Sequence, residues 1–299
     1  MTETVDPKTR ASGLPCWSGP VDPAPISGGI TNVNFVVEDG GARYFVRIGD
    51  DIPVHGILRS NELAAARAAE AAGVSPGLVY AEPGVLVLRF IEGRTFEPAD
   101  LRDPANLPRV VELIRRVHYE MPKHVQGPVL MFWVFHVVRS YAGALRDGNS
   151  RCLPMLPALL AKAERLETAV GPIQVVFGHN DLLAANFIAE GEGDGGRLWL
   201  VDWDYAGFNS PLFDLANVAS NNELPPQQVD ALLEGYFGRP PDDDVRRRYA
   251  AMACASLLRE TMWSMVSEIH STLDFDYVAY TEENLARFQR AYAAFDGQG

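Results

Sequence analysis

The chain has 299 residues, a formal net charge of −13 and 47% hydrophobic side chains. That is enough for one large domain or two lobes around a sizeable core, and the acidic balance argues against nucleic acid or an anionic membrane surface as a partner. Cys16, Cys152 and Cys254 are widely spaced and form no CxxC pair, the N-terminus has no apolar signal core, and no apolar run reaches membrane-spanning length; together these point to a reducing cytoplasm and to no membrane partner.

The first ten residues or so read as a polar, proline-containing, mobile tail. Residues 27–37 and 42–48 are β-prone and flank the turn Glu38-Asp39-Gly40-Gly41, which predicts a hairpin. Gly28 and Gly29 would let the backbone approach a phosphate closely, although an ordinary turn also accounts for them. Arg47 on the second strand is either a phosphate-binding fork or a solvated edge residue. A helix follows, with Ser60 and Asn61 as candidate N-caps, Glu62 in its first turn and a stop at Gly73. Residues 74–84 contain Gly77 and Pro83 and carry no assigned element. A strand at 85–91 runs into Gly93. Helices are expected at 107–118, where His118 packs or caps, at 131–145 and at 153–170.

In the stretch 175–214, three polar residues, Asp181, Asn186 and Asp202, sit beside the β-prone runs 175–177, 187–188 and 198–201, with turn-rich 191–196 between. This reads as a β-hairpin pair with carboxylates at its open end. Phosphoryl transfer wants such a set: Asp181 as the base that takes the proton of an attacking hydroxyl, Asn186 and Asp202 as hard oxygen ligands for Mg²⁺. Asp214 opens the next helix and suits an N-cap. Helices at 227–236 and 245–270 and a closing helix at 277–295 complete the chain, with a capping loop at 241–244. Trp263, Phe275, Tyr277 and Tyr280 read by default as helix-bundle core.

His179-x-Asp181-x4-Asn186 followed by Val201-Asp202-Trp203-Asp204 resembles the aminoglycoside phosphotransferase/choline kinase superfamily. The resemblance implies an α+β, two-lobed protein-kinase-like fold: a small β-rich N-lobe with one main helix (1–93) and a larger, mostly helical C-lobe (94–299). GGITNVNF at 28–35 is similar to the family's nucleotide loop, which implies Gly28, Gly29, Thr31 and Asn32 at the ATP phosphates. By the same resemblance Arg47 holds phosphate and pairs with Glu62, Phe90 and Ile91 lie near adenine, His179 braces the catalytic loop and Asp214 ties it to the lobe. Asn180 stands where regulated protein kinases carry Arg, which implies a small-molecule kinase.

The tail is similar to that of choline/ethanolamine kinases, closest to the bacterial LicA type, and implies that Trp263, Tyr277 and Tyr280 surround a cationic acceptor, with Asp204 and Glu260 on the substrate side. The chain departs from that family at Glu260, where Trp is usual, at Asp204, where Glu is usual, and at Asn209-Ser210-Pro211, where Asp is usual in the middle. A charged Glu260 would suit an amine with N–H donors, such as ethanolamine, at least as well as choline. The expectation is therefore ATP- and Mg²⁺-dependent phosphorylation of a choline- or ethanolamine-type alcohol. Other acceptors (an aminoglycoside, thiamine or a sugar) and a catalytically silent nucleotide-binding module are the alternatives.

Overall fold

A computed structural model describes residues 6–26, 32–191 and 196–297. Pro7–Ser12 forms a short helix, α1, capped by Asp6. For residues 6–10 this corrects the expected mobile tail, the rest of which lies outside the described residues: Ala11 is fully buried, and Arg10 donates to the Pro83 carbonyl and pairs with Glu82. The strands β1 (Ala24–Ile26), β2 (Val33–Asp39) and β3 (Ala42–Ile48) follow. The β2–β3 turn falls at Gly40-Gly41, both with positive φ, as a hairpin that follows the sheet twist requires. Helix α2 (Arg59–Ala71) comes next, then β4 (Leu78–Glu82) and β5 (Val85–Arg89).

These five strands form one antiparallel sheet in the order β1-β2-β3-β5-β4. Alternation puts Phe35, Val37, Val46, Ile48, Val85 and Val87 on one face with Ala11 of α1 and Leu14 just beyond it. On the other face Leu86 and Leu88 join the core that holds Ala65, Ala66 and Ala69 of α2; small side chains let that helix lie close to the sheet. The predicted caps Ser60 and Asn61 fall inside α2, whose N-cap is Leu58 without a side-chain bond. Asn61 is spent elsewhere: its Nδ2 donates to the Ala206 carbonyl (2.8 Å) and its Oδ1 accepts from the Leu130 N–H (2.8 Å).

The strand β6 (Gly93–Thr95) leaves the sheet and pairs with a strand far along the chain, Gly93 facing Glu190. A Cβ on Gly93 would lie 2.2 Å from the Ala189 carbonyl oxygen, so the close approach requires glycine. The rest is mainly helical: α3 (Pro98–Leu101), α4 (Leu107–Tyr119), α5 (Val134–Asp147) and α6 (Leu156–Val170), then β7 (Val176–Gly178), β8 (Phe187–Glu190), β9 (Leu198–Leu200) and β10 (Gly207–Asn209), then α7 (Pro211–Asn221), α8 (Pro226–Phe237), α9 (Asp243–His270) and α10 (Tyr277–Asp296). Two of the expected helices start late. The α5 helix starts at Val134 because the segment before it lies along β10, with Phe132 N–H bonded to the Phe208 carbonyl (2.8 Å). A 3₁₀ turn at Leu153–Met155 precedes α6.

The expected hairpin pair is rearranged. β8 and β9 form a hairpin with β6 added at its edge, while β7 pairs with β10. α9 is the axis of this lobe: it packs against α5, α6, α7 and α10, and Ala251, Met252, Ala255, Leu258, Met262 and Met265 are all fully buried along it. Among the described residues, no helix is long and apolar enough to cross a membrane.

Candidate functional site

The loop between β7 and β8 is held from below by one carboxylate. Asp214 Oδ1 accepts from the Asn180 N–H (2.8 Å), and its Oδ2 accepts from the His179 N–H (2.8 Å) and lies 2.9 Å from His118 Nε2. Asp214 is therefore not the N-cap of α7; Ser210 is, its Oγ accepting from the Leu212 N–H. His118 in turn meets the Tyr236 hydroxyl (2.7 Å). His179 reaches across to the Val201 carbonyl through Nε2 (2.9 Å) and packs on Trp203, 4.7 Å between ring centroids. Asn180 and Asp202 both have left-handed backbones, φ 67° and 70°, which Asn and Asp tolerate better than other non-glycine residues.

Asp181 and Asn186 lie on this loop, and Asp202 follows β9. Asn186 Nδ2 donates to the Asp181 carbonyl (2.8 Å). Its Oδ1 accepts no hydrogen bond among the described residues, and Asp202 is exposed. Burial raises the Asp181 carboxyl pKa to about 6, with Arg259 opposing and Glu260 and Asp204 adding to the rise. Partial loss of hydration in the cleft, then the carboxylates of Asp204, Asp181 and Glu62, push Asp202 upward as well. A carboxylate destabilised by other carboxylates, beside a free amide oxygen, is a place where a hard divalent cation fits. Among the described residues no three His, Cys, Asp or Glu side chains gather as a metal cage.

From the N-lobe side, Arg47 (β3) and Glu62 (α2) form an ion pair, each side chain less than a tenth exposed. Sequence reasoning missed a second arginine here. Arg59 Nη1 donates to Glu62 Oε2 (2.9 Å) and to Asp204 Oδ1 (2.6 Å), and its Nη2 donates to Asn32 Oδ1 (2.5 Å). The Arg-x-x-Glu spacing at 59–62 was the signal that would have found it. Asp204, expected on the acceptor side, is instead engaged by Arg47, Arg59 and Asn32, and so belongs to this cluster. Gly28, Gly29 and Thr31 lie outside the described residues. Phe90 and Ile91 are half-buried at the strand exit. The Phe90 N–H is bonded to the Arg43 carbonyl (3.1 Å), and the Arg43 guanidinium covers the Phe90 ring at 4.1 Å. The Ile91 N–H has no partner among the described residues.

The aromatic residues of the tail do gather. Trp263 lies 6.1 Å from Tyr277 and 6.4 Å from Tyr280 between centroids, and Phe275, which is exposed, stacks against both tyrosines. Trp263 Nε1 donates to the Tyr205 hydroxyl (2.9 Å). A cavity of about 710 Å³ takes in Trp263, Tyr277, His55, Ser267, Asn32 and Asp50. Glu260 was expected to offer a free charge. Its Oε1 instead accepts from the Tyr280 hydroxyl (2.8 Å), and its Oε2 is paired with Arg259 Nη1 (2.8 Å). Arg259, His55 and Tyr205 were not singled out from sequence. An arginine between Leu257-Leu258 and Met262-Trp263 is itself a signal, because a cation in so apolar a stretch needs an anion nearby.

A profile of the phosphotransferase enzyme family (APH) matches residues 22–251. Ethanolamine kinase 2 of Mus musculus is 27% identical over 286 residues, covering 84% of this chain and 71% of the relative. Protein LicA of Haemophilus influenzae is 29% identical over 214 residues, covering 70% of this chain and 61% of the relative. A solved structure of a choline/ethanolamine kinase family protein from Mesorhizobium loti superposes with a TM-score of 0.76 at 27% identity, covering 96% of this chain and 97% of that one. With a two-lobed α+β architecture, an ordered loop between β7 and β8 and a family match over more than half its length, the chain belongs to the phosphotransferase enzyme family.

Proposed function

We propose that the protein transfers the γ-phosphoryl group of ATP to the hydroxyl of a small cationic amino alcohol of the choline or ethanolamine type. The observation that supports this reading is a chain of contacts between two sets of side chains. Asp181 and Asn186 lie on a loop braced by Asp214 and His179, Asp202 follows β9, and the aromatic group of Trp263, Tyr277 and Tyr280 is linked to Asp181 through Glu260 and Arg259. The lobes part near residue 93, where the chain leaves the N-terminal sheet.

In this reading Asp181 accepts the hydroxyl proton of the acceptor. The acceptor oxygen attacks the γ-phosphorus, the bond to the β–γ bridging oxygen breaks, ADP leaves with the electron pair, and Asp181 returns the proton to water. Arg47, backed by Glu62 and with an unpartnered Nε among the described residues, holds phosphate oxygens from the N-lobe side together with the loop at Gly28, Gly29, Thr31 and Asn32. Phe90 and Ile91 flank the adenine, and the free Ile91 N–H is available to it. Asn186 Oδ1 and Asp202 would hold Mg²⁺, which when bound neutralises charge on the phosphate oxygens. Trp263, Tyr277 and Tyr280 offer π faces to the acceptor's cation, each worth about 0.5–2 kcal/mol.

The test is coupled ADP release with ATP and Mg²⁺ against choline, ethanolamine, their N-methyl intermediates, thiamine and kanamycin. Strong turnover on an amino alcohol is expected, with Asp181→Asn lowering kcat by about 10²–10⁴-fold while nucleotide still binds. Turnover confined to thiamine or kanamycin would sink the acceptor assignment, and full turnover by Asp181→Asn would sink the base assignment.

A further inference from the structure

The buried half of α9 carries one charged side chain; its other buried members are apolar or the hydroxyl residues Ser256, Thr261, Ser264 and Ser267. Arg259 sits among Leu257, Leu258, Met262 and Trp263 with 2% of its surface exposed. An arginine this deep is a costly choice, because a well-packed apolar side chain of similar volume is as good or better for stability. Its contacts show what it touches. Nη1 meets Glu260 Oε2 at 2.8 Å and Asp181 Oδ1 at 3.6 Å. The guanidinium carbon lies 4.5 Å from the centroid of Tyr205 and 5.7 Å from that of Phe132. Nε and Nη2 have no hydrogen-bond partner among the described residues, where two carboxylates and two ring faces hold the group.

We infer that Arg259 is a positioning residue for Asp181, and that Glu260 stands beside it to balance its charge rather than to meet the acceptor's cation. This rests on Asp181 being the base. The cation draws Asp181 Oδ1 to one side, and Oδ2 has no hydrogen bond among the described residues; it is the oxygen turned to the acceptor hydroxyl. Glu260 stops the guanidinium from swinging toward the cleft, and the Tyr280 hydroxyl stops Glu260. Tyr205 closes the frame: its ring lies under Arg259 while its hydroxyl grips Trp263. The aromatic wall and the base are thereby set at a fixed distance, and an error of about 1 Å in such a distance costs up to roughly 10²-fold in rate.

The experiment compares Arg259→Met, Arg259→Lys and Asp181→Asn by steady-state kinetics at saturating ATP and Mg²⁺, with choline and ethanolamine as the acceptors tried. Arg259→Met is expected to lose about 10- to 100-fold in kcat with the acceptor KM nearly unchanged, and Arg259→Lys to recover part of the loss. A kcat within twofold of wild type in Arg259→Met, or a loss confined to KM, overturns the inference. So does an Arg259→Lys protein as inactive as Asp181→Asn, which decides the matter even where the methionine variant does not fold. Should Asp181→Asn itself keep full turnover, the base assignment has failed, and that result is distinct from the other three.

Discussion

The molecule has two ion clusters, one built on β3 and α2 and one on α9, and they differ in how they are closed. On the N-lobe side Arg47, Arg59, Glu62 and Asp204 are two cations and two anions, every side chain at most 7% exposed. On the C-lobe side Arg259 is one cation against two anions, and Asp181 and Glu260 remain 18% and 16% exposed. The first cluster is balanced and dry; it ties α2 to the segment after β9. The second carries an uncompensated negative charge with one oxygen of Asp181 open. A balanced cluster serves as a joint between lobes, while an unbalanced one leaves a charge for chemistry.

Removing one anion from the balanced side should have the largest effect on stability. In Glu62→Ala, Arg47 and Arg59 keep only Asp204 between them, and breaking a buried pair costs about 3–5 kcal/mol. Urea unfolding should show that loss at neutral pH. A change under about 1 kcal/mol, the range of exposed pairs, would mean that the cluster is a phosphate site first and a joint second.

How much of this was readable beforehand follows from the range of the interactions. Helices α4, α6, α8 and α10 repeat their apolar residues over several turns, and that periodicity is local. Strands β6 and β10 are short and find partners through the fold; β6 pairs with β8 nearly a hundred positions on, and no window around Gly93 contains that fact. Asp181, Asn186 and Asp202 were singled out by spacing and chemistry. Arg59 and Arg259 carry a charge that looks like any helix-surface charge until the neighbouring apolar residues are noticed. Asp204 was assigned to the acceptor by its place in a motif, yet two arginines from the other lobe claim it, and only tertiary contact decides between those.

Acid should act on the open side next. His55 is 9% exposed, stacked 5.3 Å from Trp263, with Nδ1 3.4 Å from the Tyr141 hydroxyl and Nε2 3.3 Å from Ser267 Oγ. Burial, then the charges of Arg259 and His270, lower its pKa to about 4. Above the unfolded value near 6.5 the ring is neutral in both states and costs nothing. Below it the unfolded chain takes a proton that the folded chain refuses until about pH 4. Folding therefore loses up to about 3 kcal/mol across that window. Urea midpoints at pH 7.5 and pH 5 should differ more for wild type than for His55→Gln, which cannot titrate there; equal shifts would remove His55 from the account.

The smallest effect is the one that separates the two sides most sharply. Glu260→Gln keeps an oxygen for the Tyr280 hydroxyl and removes only the charge that faces Arg259. Arg259 still has Asp181 and the ring of Tyr205, and the site is partly exposed, so the stability loss should be about 1–2 kcal/mol, between the surface and buried cases. The decisive readout is the acceptor KM. With its charge already matched inside the protein, Glu260 contributes little to holding a cationic acceptor, and KM for choline and ethanolamine should change by less than about threefold, under 1 kcal/mol of binding. A tenfold rise for ethanolamine alone would show that the carboxylate leaves Arg259 to meet the amine. The C-lobe cluster would then be a ligand site that closes on itself only when empty, and the contrast with the N-lobe joint would be one of occupancy rather than of design.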